Sequence, residues 1–269
     1  IPPVKIYEKG SPREDVIRLL ATNVRHPENF LGDLNAQIGS VMTASRRLET
    51  LIERYGPNHL SRYADEMLDA TERRIRQMIS KWPDGIYKGE SLVDNDGFES
   101  SNIPVRAKVT ILGDQMTIDL SESSPQVTGF INSSYANTRS AAHAAIMYLA
   151  PSDIPKNEGS MRPVTIIAPK GIVVNANPPA PVAMSTNHCA EEIIEAVFHA
   201  LSESVPEAVN AGFSRRLRYA ITAVDPRTKR EFIWHFFLAR GGGGASSGFD
   251  GWSGVGEVNV AGGIRSPSV

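Results

Sequence analysis

Apolar residues change their spacing at Trp82-Pro83, and that change constrains the fold more than any other feature of the sequence. Upstream they recur at helical intervals. Residues 11–25 open with Ser11 as an N-cap candidate, Pro12 at the first helical position and Glu14 three residues on from Ser11, over an apolar face of Val16, Ile17, Leu19, Leu20 and Val24. In residues 31–56, Ile38, Val41, Met42, Leu48, Leu51 and Ile52 predict a long amphipathic helix that Gly56-Pro57 ends. A third helix over 57–81 uses Leu60, Ala64, Met67, Leu68, Ile75 and Ile79. Downstream the period is two. Val105, Ala107, Val109 and Ile111 share one face, Gly113-Asp114 marks a turn, and Met116, Ile118 and Leu120 continue, as in a β-hairpin. A small-residue helix over 134–151, two short strands around Pro169-Lys170-Gly171, an amphipathic helix built on Ile193, Ile194, Val197, Phe198 and Leu201, and a hairpin around Asp225-Pro226 follow. The predicted class is α+β: a helical N-terminal arm, residues 1–83, followed by a mixed α+β domain with mainly antiparallel sheets, residues 84–269. No internal repeat and no heptad run of useful length stands out.

A net charge of -2 argues against nucleic acid or an anionic membrane as partner. The single cysteine, Cys189, allows no internal disulfide and fits a cytoplasmic setting. No apolar run approaches the ~20 residues a membrane span needs, and no leader is recognisable. The opening "IPPVKIYEKG" lacks methionine and the close lies in a Gly/Ser/Pro-rich stretch, so a piece of a longer polypeptide is expected.

Gly241, Gly242, Gly243 and Gly244 stand in a row ahead of "ASSGFDGW". A phosphate loop requires Lys-Ser or Lys-Thr at the head of a helix, and neither follows. Gly244-Ala245-Ser246-Ser247-Gly248 matches G-x-S-x-G formally, without the helix a nucleophile turn needs. A linker would not retain Phe249 and Trp252. The preferred reading is an ordered loop whose backbone approaches a ligand or another chain, with at least one of the four glycines at positive φ.

The six histidines, His26, His59, His143, His188, His199 and His235, form no metal-binding spacing. His143 and His199 read as packed helix residues. Asp33 and Gln37 sit at i and i+4; they form either a binding pair or a helix cap beside a solvated amide. Asn132, Ser133, Ser134, Asn137 and Thr138 lie where a loop enters a helix, which either binds an anion on free N–H groups or simply caps the helix.

Several stretches, in order, carry a resemblance: "IPPVKIYEKG", "LGDLNAQIGS", "RRLETLIERYG", "GFINSSYANT", "MRPVTIIAPKGIVVNANPPAPV", "AVFHALSESVPEAVNAG" and "RGGGGASSGFDGWSG". The chain resembles the hydantoinase B family, itself similar to the C-terminal half of ATP-dependent 5-oxoprolinase and to the alpha-type subunit of acetone carboxylase. The resemblance implies a subunit of an ATP-dependent amidohydrolase that opens hydantoin- or 5-oxoproline-like rings. Its expected partner is a hydantoinase A-type ATPase subunit that holds the ATP, and its expected divalent metal sits on ligands outside this chain. Such a chain on its own is expected to be inactive. A ketone carboxylase subunit and a non-catalytic assembly module are the competing readings; in the latter the arm is a self-association surface. The residues expected to line a substrate site are Asp33, Gln37, Asn132, Ser133, Asn187, Gly241, Gly242, Gly243 and Gly244. No catalytic residue and no metal ligand is assigned.

Overall fold

The computed structural model describes residues 3–212, 217–239 and 242–251. The chain divides into two compact units, Ile1–Glu66 and Met67–Val269.

The first unit opens with a two-stranded ribbon, β1 (Tyr7–Glu8) against β2 (Ser11–Pro12). The predicted cap at Ser11 is therefore corrected. Ser11 and Pro12 are spent on the ribbon, and α1 (Glu14–Thr22) starts two residues later, with acidic Glu14 and Asp15 in its first turn. Next comes α2 (Pro27–Tyr55), with proline at its start and Gly56 at φ 78 as its C-cap. The helix begins four residues earlier than its apolar periodicity indicated, so Asp33 lies in its second turn and is not a cap.

The helix α3 (Pro57–Ile79) runs through the boundary between the units. Its last turns carry Ile75, Met78 and Ile79 into the core of the second unit. They are held there by Arg74 on Asp153 at 2.6 Å and by Arg162 on Asp69 at 2.5 Å. Helical periodicity continues to residue 79, but contact with the sheet domain begins near residue 67, because burial and not helicity decides where a unit starts.

The second unit is built on a four-stranded sheet ordered β3 (Gly85–Asn95), β4 (Ser101–Leu112), β5 (Gln115–Asp119) and β6 (Val164–Ile167). The first three strands are antiparallel, as alternation predicts, and the β4–β5 turn sits at Gly113 with φ 61. On β4, Ile103, Val105, Ala107, Val109 and Ile111 are all buried. β6 joins β5 in parallel. Its expected partner across residues 169–171 is no strand: residues 172–175 make only isolated bridges. The helix α5 (Ala190–Leu201) lies over β3 and β4, and α4 (Tyr135–Leu149) packs on α5. Ala141, Ala142 and Ala145 of α4 are buried, and their small side chains permit close helix packing. β7 (Leu217–Val224) and β8 (Glu231–Ala239) form the hairpin expected around Asp225. The class is α+β with mainly antiparallel sheets.

Candidate functional site

The polar loop-to-helix boundary at α4 is real, but its side chains are turned inward. Asn132 is fully buried. Its Oδ1 accepts from the Val127 N–H at 2.8 Å, and its Nδ2 donates to the carbonyls of Val127, Gly129 and Pro181 at 2.8–3.1 Å. Ser133 Oγ accepts from Asn137 Nδ2 at 2.8 Å and from Thr138 Oγ1 at 3.1 Å, while Ser134 caps the helix. Asn137 Nδ2 also donates to the Ser185 carbonyl, and the Met184 N–H to the Phe130 carbonyl. Asn132, Ser133 and Asn187 thus meet in one junction, which joins the α4 entrance to the segment leading into α5. Asn187 is buried there, with its Nδ2 on Met184 Sδ at 3.5 Å. A buried amide saturated by backbone groups organises a loop. Asp33 and Gln37 are exposed one turn apart on α2, in the first unit.

The glycine run makes close approaches, to its own chain. A Cβ on Gly244 would lie 2.0 Å from the Ala211 carbonyl oxygen, and one on Gly251 would lie 2.0 Å from that of Gly243. The Ala211 N–H donates to the Ala245 carbonyl at 2.8 Å, and Ser246 and Phe249 close a tight turn. Positive φ falls on Gly248, at 87°, in the turn that follows the run, and not on Gly244. The turn needs the left-handed conformation at Gly248, whereas Gly244 needs only the missing side chain. Gly241 and Trp252 lie outside the described residues.

The loop closes one side of a cavity of about 430 Å³. The other side is a face of α5 that offers Glu195, Phe198 and His199, and Asn210, Ser246 and Ser247 complete the polar lining. His199 is exposed and not packed, so the helix-packing expectation fails for it. Its Nδ1 lies 2.9 Å from the Glu90 carbonyl oxygen. A carbonyl only accepts, so Nδ1 donates, and in the neutral ring Nε2 is the acceptor. One turn earlier, Glu195 accepts a short hydrogen bond from Ser91 Oγ. Both anchors come from β3, which reaches α5 because Gly89 has no side chain: a Cβ there would be 2.2 Å from the Ala196 carbonyl oxygen. An E-x-x-x-H spacing on an apolar helix was the available sequence signal for this pair.

His143 behaves as expected of a packed residue. Its Nε2 lies 2.5 Å from Ser160 Oγ, and burial lowers its pKa against the opposing charge of Glu158. Cys189 is fully buried at φ 68, its thiol donates to the Val173 carbonyl, and burial raises its pKa, so it is an unreactive thiol. Among the described residues no three His, Cys, Asp or Glu side chains stand close enough together to hold a metal ion. No described helix is long and apolar enough to cross a membrane.

Across residues 1–267 the sequence matches the profile of the hydantoinase B/oxoprolinase family. The chain belongs to that family. It is 35% identical to the beta subunit of the caprolactamase of Pseudomonas jessenii, over 100% of this chain and 47% of that protein. The B-type subunit of a putative D-/L-hydantoinase from Pseudomonas sp. (strain NS671) is 28% identical over 94% of this chain and 44% of its own. The crystal structure of the ATP-dependent caprolactamase from Pseudomonas jessenii superposes with a TM-score of 0.87 at 35% identity, covering 96% of this chain and 45% of that one. An acetone carboxylase structure gives 0.86 at 17% identity and shows a shared fold. The chain therefore spans less than half the length of these hydantoinase B relatives. Two of these relatives are named as subunits, of a caprolactamase and of a putative hydantoinase.

Proposed function

We propose that this chain is part of the B-type subunit of an ATP-dependent cyclic-amide hydrolase that works with a hydantoinase A-type ATPase subunit. The observation that carries it is the 35% identity to a caprolactamase subunit along the whole chain, with the fold superposing at a TM-score of 0.87. The chemistry explains the requirement for ATP. An amide carbon is a poor electrophile because nitrogen donates into the carbonyl. Transfer of the terminal phosphoryl group to the amide oxygen gives ADP and an imidate phosphate. Water adds at the carbon, the ring C–N bond breaks and the nitrogen leaves as an amine; a second water then hydrolyses the resulting acyl phosphate to carboxylate and phosphate. Nucleotide belongs to the partner in this reading, and divalent metal to residues outside this chain.

What this chain contributes is a cavity of a volume suited to a small ring, with Phe198 and Val209 as apolar wall and Glu195, His199 and Asn210 as polar wall. Such a cavity shields an activated intermediate from bulk water. The test is ATP-dependent ring opening of caprolactam, hydantoin and 5-oxoproline by the assembled complex, run beside bicarbonate-dependent carboxylation of acetone. Carboxylation without ring opening would replace this reading with the ketone carboxylase. Assembly without either activity would leave a structural module.

A further inference from the structure

The cavity beside α5 is lined by a side chain that the fold holds by one atom and leaves open at another. His199 Nδ1 donates to the Glu90 carbonyl at 2.9 Å, which orients the ring, and in the neutral ring Nε2 accepts. Among the described residues nothing donates to Nε2, and His199 is the one exposed position of α5. Four residues earlier on the same helix face, Glu195 is fixed by Ser91 Oγ. A carboxylate at that spacing favours an imidazolium when one forms. Asn210 lines the same cavity and is half-buried. Its backbone is bridged to Ser246 of the loop after the glycine run, and its side-chain amide makes no hydrogen bond among the described residues. Phe198 and Val209 add apolar wall. An oriented acceptor and an uncommitted amide therefore share one small cavity.

That pair matches the edge of a lactam. Ring closure holds the amide cis, so its N–H and C=O lie side by side, whereas an open-chain secondary amide is trans and presents them on opposite edges. Phosphorylation adds a second requirement. An amide phosphorylated on oxygen stays cationic until its N–H proton is removed, and only then is it a neutral imidate. We propose that His199 Nε2 accepts the ring N–H and takes its proton as the O–P bond forms, while Asn210 Nδ2 donates to the ring oxygen. The second lone pair of that oxygen takes the phosphoryl group of ATP. The cavity is thereby specific for cyclic amides that carry an N–H. The proton is returned. The oxygen of the adding water becomes the carbonyl oxygen of the acyl phosphate, and its two hydrogens pass to nitrogen. The imidazolium proton follows, so the amine leaves as ammonium and His199 becomes neutral again. This assignment rests on the reading of the chain as part of a cyclic-amide hydrolase.

The test compares caprolactam, N-methylcaprolactam and the open-chain N-ethylbutanamide in the assembled complex, by ATP-dependent release of ADP and amine. The wild-type complex is expected to turn over caprolactam and to act on the other two at rates on the order of 100-fold lower. In His199→Gln, caprolactam turnover is expected to fall on the order of 100-fold, and its advantage over N-methylcaprolactam to fall to near one. Asn210→Ala is expected to raise KM for caprolactam about tenfold. Melting temperatures are followed alongside, and the comparison of substrates in the wild type needs no variant to fold. Comparable turnover of N-methylcaprolactam by the wild type overturns the proposal. So does a preference for the N–H ring that persists in His199→Gln, or an unchanged KM in Asn210→Ala. A wild-type complex that opens no ring with ATP fails the functional reading, whereas caprolactam opening with the N–H preference absent or untouched by His199→Gln fails this assignment alone.

Discussion

Two glycines separate a packing requirement from a merely permitted one. Gly89 passes against the backbone of α5, at Ala196 and Ala200, so neither neighbour can yield to a methyl group. Gly89→Ala is expected to cost roughly 1–3 kcal/mol, read as a lower urea midpoint of the second unit. Gly32, inside α2 with open space around it, behaves in the opposite sense: Gly32→Ala is expected to raise stability by up to about 1 kcal/mol. Charge is tested at Asp96, which is buried with its carboxylate accepting from the N–H groups of Phe98, Ser100 and Gly129. Burial raises its pKa, the three hydrogen bonds lower it, and the hydrogen bonds win. With the folded pKa below the unfolded value of about 3.9, the stabilisation is fully present above that value. It fades as pH falls through the lower folded pKa. Asp96→Asn should flatten the stability profile below about pH 4, as followed by thermal melting across acid buffers. At the cavity, His199→Gln in the assembled enzyme is expected to lower kcat on the order of 100-fold with an unchanged melting temperature. Full activity in that variant would remove His199 from the chemistry.

Elements behave according to what covers them. α5 has ten buried residues and sits between sheet and α4, whereas the second half of α2 has no tertiary cover among the described residues. Helices of that length are marginal in water without packing. In hydrogen–deuterium exchange of the isolated chain, amides of residues 39–55 are expected to exchange far faster than those of α5. Equal protection of the two segments in the isolated chain would contradict this account. β6 shows the opposite influence: the four residues Val164–Ile167, three of them apolar, are held as a strand by the parallel edge of β5, and nothing local distinguishes them from the segment after Gly171.

For the whole molecule, a span of less than half of its hydantoinase B relatives sets the functional expectation. The purified chain is predicted to open no cyclic amide with ATP, while the full complex does; turnover by the chain alone, above a heat-killed control, would overturn this. The sequence by itself determined the α+β class, the helices, the β4–β5 and β7–β8 hairpins and the family, since each is written in local periodicity, turn residues or the order of motifs. Tertiary structure alone decided the rest. The inward hydrogen bonds of Asn132 and Ser133 were not legible, because a polar residue at a helix entrance has the same local signature whether it faces a ligand or the backbone of a distant loop. His199 looked packed because an apolar helix does not reveal which of its faces the sheet leaves open. At Gly244 the close approach that glycine permits is made by the carbonyl of Ala211, a residue some thirty positions upstream, which no local pattern reports. Periodicity reports which face of an element is apolar; only the assembled chain reports what lies against it.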